Sequence, residues 1–300
     1  MHTSPRPSVC VSIVHYLNPD LLELCLKSFM DHPPNLDYRI VVADNSANLL
    51  SLCDRIGKQP KVELREMESN LGFSAANNRA VEGATEDYLF FLNPDAEIRN
   101  GTLETLVAYL EGHPDVGAVG PTNLGPNGEI QYSCRSFPGY WTVLANRYSF
   151  LTRLFPNNPM SNRYLKTEID RTVTQEVDWV SGAALMMRRR DFEELGGFDE
   201  DFFLYAEDVD LCYRIHRLGK KVVYHPESAI QHTIGGSSRK NRFRSLWERH
   251  RSMYTFYRKH YSADIPLMDL ITLFGILSRA LVFLTLELMG GAPHRSAGSN

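Results

Sequence analysis

Asp87-Tyr88-Leu89-Phe90-Phe91-Leu92-Asn93-Pro94-Asp95 is an apolar run that stops abruptly in a polar turn. A short continuous apolar stretch reads as a buried strand, and Asn-Pro initiates a turn. Asp95 therefore falls where a strand ends. Working outward, similar runs occur at Val9–Val14, at Arg39–Ala43 before Asp44-Asn45-Ser46, and at Val62–Arg65. Leu21–Met30 has helical spacing between the first two, and Asn70-Leu71-Gly72-Phe73 opens a small-residue helix through Ala80. Leu103–Leu110 reads as a further helix and Val116–Val119 as a further strand. Alternation of this kind predicts an α/β fold with a mostly parallel sheet covered on both faces. Ligands of such sheets bind beyond the carboxyl ends of the strands, where Asp44, Asn45, Asn93 and Asp95 all fall.

A second group of acids lies far downstream, in Tyr205-Ala206-Glu207-Asp208-Val209-Asp210-Leu211-Cys212-Tyr213-Arg214. Three carboxylates in four residues follow the apolar run Phe198–Leu204 and begin a helical pattern. Acids favour helix N-termini, and Asp210 with Arg214 makes an ordinary i,i+4 pair. Crowded beside aromatics, the same acids also suit a site that handles protons or cations. The helix should end at Gly219, with a short strand at Lys221–Tyr224. Between the two acid groups, residues 121–175 lose all rhythm and are rich in Pro, Asn, Gly and aromatics, as expected of a functional lid or a flexible segment.

The 300 residues can bury a sizeable core, and 43% hydrophobic with 23% charged residues indicates a globular chain. A net charge of −4 carries no nucleic-acid signature. Cys10, Cys25, Cys53, Cys134 and Cys212 are odd in number and scattered, which points to a reducing cytoplasm and away from a disulfide framework or a cysteine zinc site. The start, Met-His-Thr-Ser-Pro-Arg-Pro, has no apolar segment behind it, so no secretory signal is expected.

The ordered set Val11-Ser12-Ile13-Val14, Val42-Ala43-Asp44-Asn45-Ser46, Asn70-Leu71-Gly72-Phe73, Phe91-Leu92-Asn93-Pro94-Asp95, Trp179-Val180-Ser181-Gly182-Ala183, Gly197-Phe198-Asp199-Glu200, Glu207-Asp208-Val209-Asp210-Leu211 and His232 resembles glycosyltransferase family 2, and most of all its bacterial rhamnosyltransferase branch. The likeness covers roughly residues 9–237. Two departures stand out: Ala75-Ala76 where the family often has glycine, and Asn93 where many members carry Asp. The resemblance implies a GT-A fold, a Rossmann-type mostly parallel sheet flanked by helices. It assigns 1–238 to the catalytic domain, with a donor half to about 120 and an acceptor half after it, and 239–300 to a helical extension.

The resemblance also implies roles. Donor binding would fall to Val14, Asp44, Asn45, Asn70, Gly72, Phe73, Asn77 and Asn93, with Asp44 below the base and ribose. The alternatives are an Asx-turn at Asp44 and a plain helix cap at Asn70 and Gly72. A departing nucleoside diphosphate sheds charge best onto a divalent cation, Mg2+ or Mn2+, held by hard oxygen ligands. Asp95 is the best candidate ligand, Asn93 a weaker neutral one, and His232 a late ligand by resemblance; a structural turn and a structural histidine are the alternatives. Asp208 would be the general base, with Glu207 and Asp210 orienting it or holding the helix. Trp179, Ser181, Gly182 and Ala183 would form the acceptor floor, with Asp210 also on the acceptor side, although a core position is the commoner fate of Trp.

From Arg239 to His260 there are eight Lys/Arg against the single acid Glu248, with aromatics interleaved. An apolar stretch, Ile265–Met289, follows, interrupted by Asp269, Arg279 and Glu287. These charges argue against a clean membrane span and for a helix lying in an anionic membrane surface. A helical hairpin packed on the core and a homo-oligomer interface are the alternatives. The expected protein is a cytoplasmic, inverting glycosyltransferase, peripheral on the inner face of the plasma membrane. It would move a sugar, by resemblance L-rhamnose from dTDP-L-rhamnose, onto a glycan or lipid-linked glycan. The rivals are a nucleotidyltransferase, which should show a Gly-rich basic loop after the first strand where Val14-His15-Tyr16-Leu17-Asn18-Pro19 stands, and a non-catalytic sugar-binding protein of the same fold.

Overall fold

The computed structural model describes residues 6–47, 49–56, 59–138, 170–233 and 242–288. Most of the expected lid, residues 139–169, lies outside that set, as does the Gly235-Gly236 loop. The order begins β1 (Ser8–His15), α1 (Pro19–Asp31), β2 (Asp37–Asp44), α2 (Leu49–Ile56), β3 (Val62–Glu66), α3 (Gly72–Val81), β4 (Tyr88–Leu92), β5 (Ala96–Ile98) and α4 (Thr102–Gly112). It continues with β6 (Val116–Leu124), β7 (Cys134–Arg135), β8 (Gln175–Val177), β9 (Trp179–Val180), β10 (Ala184–Arg188), α5 (Arg189–Glu194), α6 (Glu207–Arg217) and β11 (Lys221–His232). Helices α7 (Arg242–His260) and α8 (Pro266–Leu288) follow.

The main sheet runs β3-β2-β1-β4-β10-β6-β11-β5, with β8 against β11. Strands β1 to β4 are mutually parallel, β6 and β11 run the same way, and β10 lies antiparallel between β4 and β6. The strands are apolar on both faces because helices cover both. Along β1, Val9, Val11 and Ile13 face one core layer with α1 and α4, whereas Cys10 and Val14 face the other with α3, α5 and α6. Helix α1 buries Leu22, Cys25, Leu26 and Phe29, the stripe a 3.6-residue period predicts. The expected mostly parallel α/β sheet is present.

Three of the elements that differ from the sequence reading bear on the site or its surroundings. Helix α2 has no counterpart in that reading. Strand β5 is only three residues long, below what periodicity can detect. Strand β11 does not stop at Tyr224: it passes His225-Pro226 through a register shift and continues to His232. Proline lacks a ladder donor and is tolerated at such irregularities. The continuation pairs Ile230, Gln231 and His232 with Ile98, Glu97 and Ala96, and that pairing builds one side of the candidate site.

Candidate active site

The carboxyl edge of the sheet collects the ends of β1, β2, β4 and β11 together with the start of β10. Asp95 follows β4, and pairing of β11 with β5 brings His232 beside it, with Nε2 3.4 Å from Asp95 Oδ1. The Thr233 amide donates to the Asp95 carbonyl at 2.9 Å. Both side chains are largely buried, at 7% and 12% exposure for Asp95 and His232. Gln131 holds the imidazole from behind. His232 Nδ1–H donates to Gln131 Oε1 at 2.9 Å, and Gln131 Nε2 donates back to the His232 carbonyl at 2.8 Å. With its proton so assigned by the hydrogen-bond network, the ring turns the Nε2 lone pair toward a carboxylate oxygen.

Two electron-rich atoms facing each other need a positive charge between them. A cation held between them would supply it. Ligands at right angles around a cation with bonds of about 2.1 Å are about 3.0 Å apart, close to the observed spacing. The donor set of one carboxylate and one imidazole fits a hard divalent ion whose other positions are filled by phosphate oxygens and water. Among the described residues no group of three or more His, Cys, Asp or Glu converges as a metal cage. Asn93 is half-buried beside this pair, and its backbone amide donates to the Ala183 carbonyl at 3.0 Å.

That last bond leads to the second acid group. The turn Ser181-Gly182-Ala183 precedes β10, which pairs with β4 in the register Ala184–Leu92. From the same turn the Gly182 amide donates to Asp208 Oδ2 at 2.8 Å. A Cβ on Gly182 would come within 3.3 Å of the Asp208 Cβ, so a side chain there would crowd the acid. The Val209 amide adds a bond of 2.9 Å to Asp208 Oδ1. Asp95 and Asp208 are thus tied to one short turn at one end of the sheet.

Burial raises the Asp208 carboxyl above its ordinary range, against the lowering effect of the two amides and of the nearby Arg135 cation. Burial also lifts Glu207 well above its ordinary value, with the adjacent Asp208 charge as the second cause. Among the described residues its buried Oε2 has no hydrogen-bond partner. The segment entering this helix is unusual: Tyr205 and Ala206 both have left-handed backbones, φ 69° and 65°. Neither is Gly, Asn or Asp, and each such residue costs on the order of 1 kcal/mol or more.

Several residues expected in the donor and acceptor pockets have other duties. Asp44 is wholly buried; burial pushes its carboxyl up, but the His15 ring and the Ser46 amide more than offset this and hold it below the ordinary value. His15 Nδ1–H donates to Asp44 at 2.9 Å while its Nε2 accepts from the Asn18 amide at 3.2 Å. Asn45 staples β2 to the start of α3, donating to the Gly72 carbonyl at 2.8 Å and accepting from Leu71 at 3.1 Å. Asn70 caps locally by accepting from the Gly72 amide at 3.0 Å. Gly72 permits close backbone approach, as expected, but to protein: φ is 83° and a Cβ would lie 2.3 Å from the Phe203 carbonyl. Phe73 packs on Phe198, and Val14 is buried in the core.

Asn77 is 1% exposed, with its amide used on Ser12 and on the Phe73 carbonyl, so it ties α3 to β1 and does not line the cleft. Asp210 is likewise fully buried, bonded to Arg214 and His260 at 2.7 Å each; it holds the helix and offers nothing to an acceptor. Trp179 is half-buried, its indole N–H donating to the Ser136 carbonyl at 2.9 Å and Arg135 lying 5.6 Å from its ring centre. The sequence reading missed His15, Gln131 and Arg135. His15 could have been noticed at the end of β1, but Gln131 and Arg135 come from an aperiodic stretch; the Asn123 carbonyl and the register Arg135–Trp179 place them.

The profile described as "Glycosyl transferase family 2" matches residues 10–196, more than half of the chain, and "Glycosyl transferase family group 2" matches 131–289. The chain belongs to glycosyl transferase family 2. As a family 2 glycosyltransferase it is 29% identical over 234 residues to the N-acetylglucosaminyl-diphospho-decaprenol L-rhamnosyltransferase of Mycobacterium tuberculosis, covering 74% of this chain and 75% of that one. It is 27% identical over 229 residues to the rhamnosyltransferase WbbL of Escherichia coli, covering 73% and 80%. Among solved structures, the mannosyltransferase PcManGT from Pyrobaculum calidifontis, in complex with GDP-Man and Mn2+, superposes with a TM-score of 0.57 at 20% identity, over 99% of this chain and 80% of that one. S. aureus TarS gives 0.53 at 15% identity, over 96% and 75%. These likenesses establish the GT-A-like fold and a rhamnosyltransferase-like branch of the family.

Proposed function

We propose that this glycosyltransferase moves L-rhamnose from dTDP-L-rhamnose onto a lipid-linked glycan, with inversion, at the cytoplasmic face of a membrane. The observation that carries this reading is the short turn 181–183, which ties the Asp95 turn and the Asp208 carboxylate to one end of the sheet. The names of the two rhamnosyltransferase relatives support the sugar, and that of the Mycobacterium tuberculosis relative the lipid-linked acceptor. In the reaction, the acceptor hydroxyl oxygen bonds to the anomeric carbon as the bond to the diphosphate oxygen breaks. Asp208 takes the hydroxyl proton, and its raised pKa makes it a better base than an ordinary carboxylate. Asp95 and His232 would hold a divalent cation, which when bound neutralises charge on the leaving diphosphate.

Helix α8 supports the membrane part. Asp269 and Arg279, which interrupt its apolar sequence, turn inward to Tyr257 and His250 of α7. Outward it presents Leu267, Leu270, Phe274, Leu281 and Leu288, all at least 63% exposed and at helical spacing. Pro266–Thr285 has a mean hydropathy of 2.0 and the length to cross a bilayer. A one-sided stripe with Asp269 and Arg279 engaged by α7 favours lying in the surface. The test is a panel of nucleotide sugars with Mn2+ or Mg2+, following nucleoside diphosphate release in the presence of vesicles. Release only from dTDP-L-rhamnose is expected; a preference for another donor, or pyrophosphate as the product, would overturn the reading. Leu270→Glu with Phe274→Glu should move the protein from vesicles to the supernatant.

A further inference from the structure

The strained turn before Asp208 is gripped along its length by α7. Arg249 lies 4.8 Å from the Tyr205 ring centre, and Ser252 Oγ donates to the Leu204 carbonyl at 2.9 Å. Phe256, 3% exposed, packs with Phe202 and Val209. Lys259 reaches Asp199 and also Asp201, the latter at 2.6 Å. His260 Nε2–H donates to Asp210 Oδ1 at 2.7 Å. Positions 249, 252, 256 and 260 form one helical stripe. Basic residues that read in sequence as facing lipid, Arg249 and Lys259 among them, therefore face this turn.

Asp210 is the hub. Its carboxylate also receives Arg214, and its amide closes the first turn of α6 onto the Ala206 carbonyl at 2.8 Å. Arg214 in turn donates to the carbonyls of Leu195 and Gly197. Left-handed non-glycine residues persist only where their surroundings over-determine them. On this side of the turn the surroundings are α7. Among the described residues the buried His260 Nδ1 has no hydrogen-bond partner, so Nε2 carries the ring's contact to Asp210.

We infer that α7 is the support that keeps the Tyr205–Ala206 turn in its strained form, and that His260 is a positioning residue acting on Asp208 through Asp210 and the first turn of α6. The catalytic half of this statement rests on Asp208 being the base. The test compares full-length wild type, His260→Ala and His260→Gln, whose amide donates at similar reach. Misplacing a catalytic group by ~1 Å costs up to about 10²-fold, so His260→Ala should lose about 10-fold or more in kcat. KM for the sugar nucleotide should stay within about twofold, as for an interaction used only in the transition state. His260→Gln should regain most of the loss. Hydrogen exchange at amides 205–209 should quicken in the Ala variant and not in the Gln variant.

Unchanged kcat and unchanged exchange in a folded His260→Ala would overturn the inference, as would equal kcat losses in both variants. Should His260→Ala fail to fold, Arg249→Leu, which loosens Tyr205 without touching Asp210, carries the same two readouts against wild type. If wild type itself turns over no nucleotide sugar, the assignment of Asp208 fails by that result. The exchange comparison then decides the support role alone.

Discussion

Asp95 and Asp208 are held by opposite means. Asp95 sits in a turn that the sheet supplies as a by-product of strand pairing: β5 meets β11, and His232 arrives opposite Ala96. No residue from 93 to 98 has a left-handed backbone. Asp208 sits behind two left-handed residues at the start of a helix whose N-cap, Ala206, has no capping side chain. It is pinned from one side by the Gly182 amide, while α7 grips the turn behind it. A sheet edge offers positions at little conformational cost, whereas aiming a buried acid needs strain and something to oppose it. The cation side should therefore tolerate neighbouring changes that the acid side does not.

The largest effect should come from Asp208→Asn. Loss of a positioned base costs about 10²–10⁴-fold in kcat, and nucleoside diphosphate binding measured by calorimetry should be unchanged. In wild type the acid limb of kcat should fall above the ordinary Asp value of about 3.9, because burial raises this carboxyl and the base must be ionised. An acid limb in the ordinary range would break the contrast between the two acids.

Next is Asp95→Ala, which should weaken Mn2+-dependent donor binding by at least about 10-fold while leaving the melting temperature nearly unchanged. Donor affinity insensitive to chelator in wild type would remove the cation from this side. The smallest effect sharpens the contrast. Glu207 binds its proton more tightly folded than unfolded. Its contribution to stability is present in full below the unfolded pKa and is lost as pH rises through the folded one. Glu207→Gln should therefore raise the melting temperature at neutral pH, by about 2–4 °C for each kcal/mol relieved, with the gain vanishing in acid. A melting temperature that does not rise would mean that the buried acid is not strained.

The strand-end half of the site was legible because its signals are local. An apolar run that ends in Asn-Pro-Asp marks both the strand and the acid that follows it, and Ala43-Asp44-Asn45 does the same for β2. The Glu207–Asp210 cluster was legible as the start of a helix. What misled was the use to which polar residues were put. Asn45, Asn77 and Asp210 read as cleft residues, yet each is a buried tie whose partners lie far along the chain or on another element. The basic tail read as facing lipid, although Arg249 and Lys259, both exposed, contact the Tyr205 ring and the Asp199 and Asp201 carboxylates; spacing on a helix shows which residues share a face, not what that face meets.

By itself the sequence determined which residues stand at strand ends and which acids open a helix, since burial period and turn chemistry act over a few neighbours. Only the tertiary structure decided that β10 enters antiparallel beside β4, that β11 runs on past Pro226 to bring His232 to Asp95, and that α7 closes on Asp210. Those outcomes join residues tens to more than a hundred positions apart. They follow from which register and which helix face fill the two core layers, a choice made by packing between distant segments and carried by no local pattern.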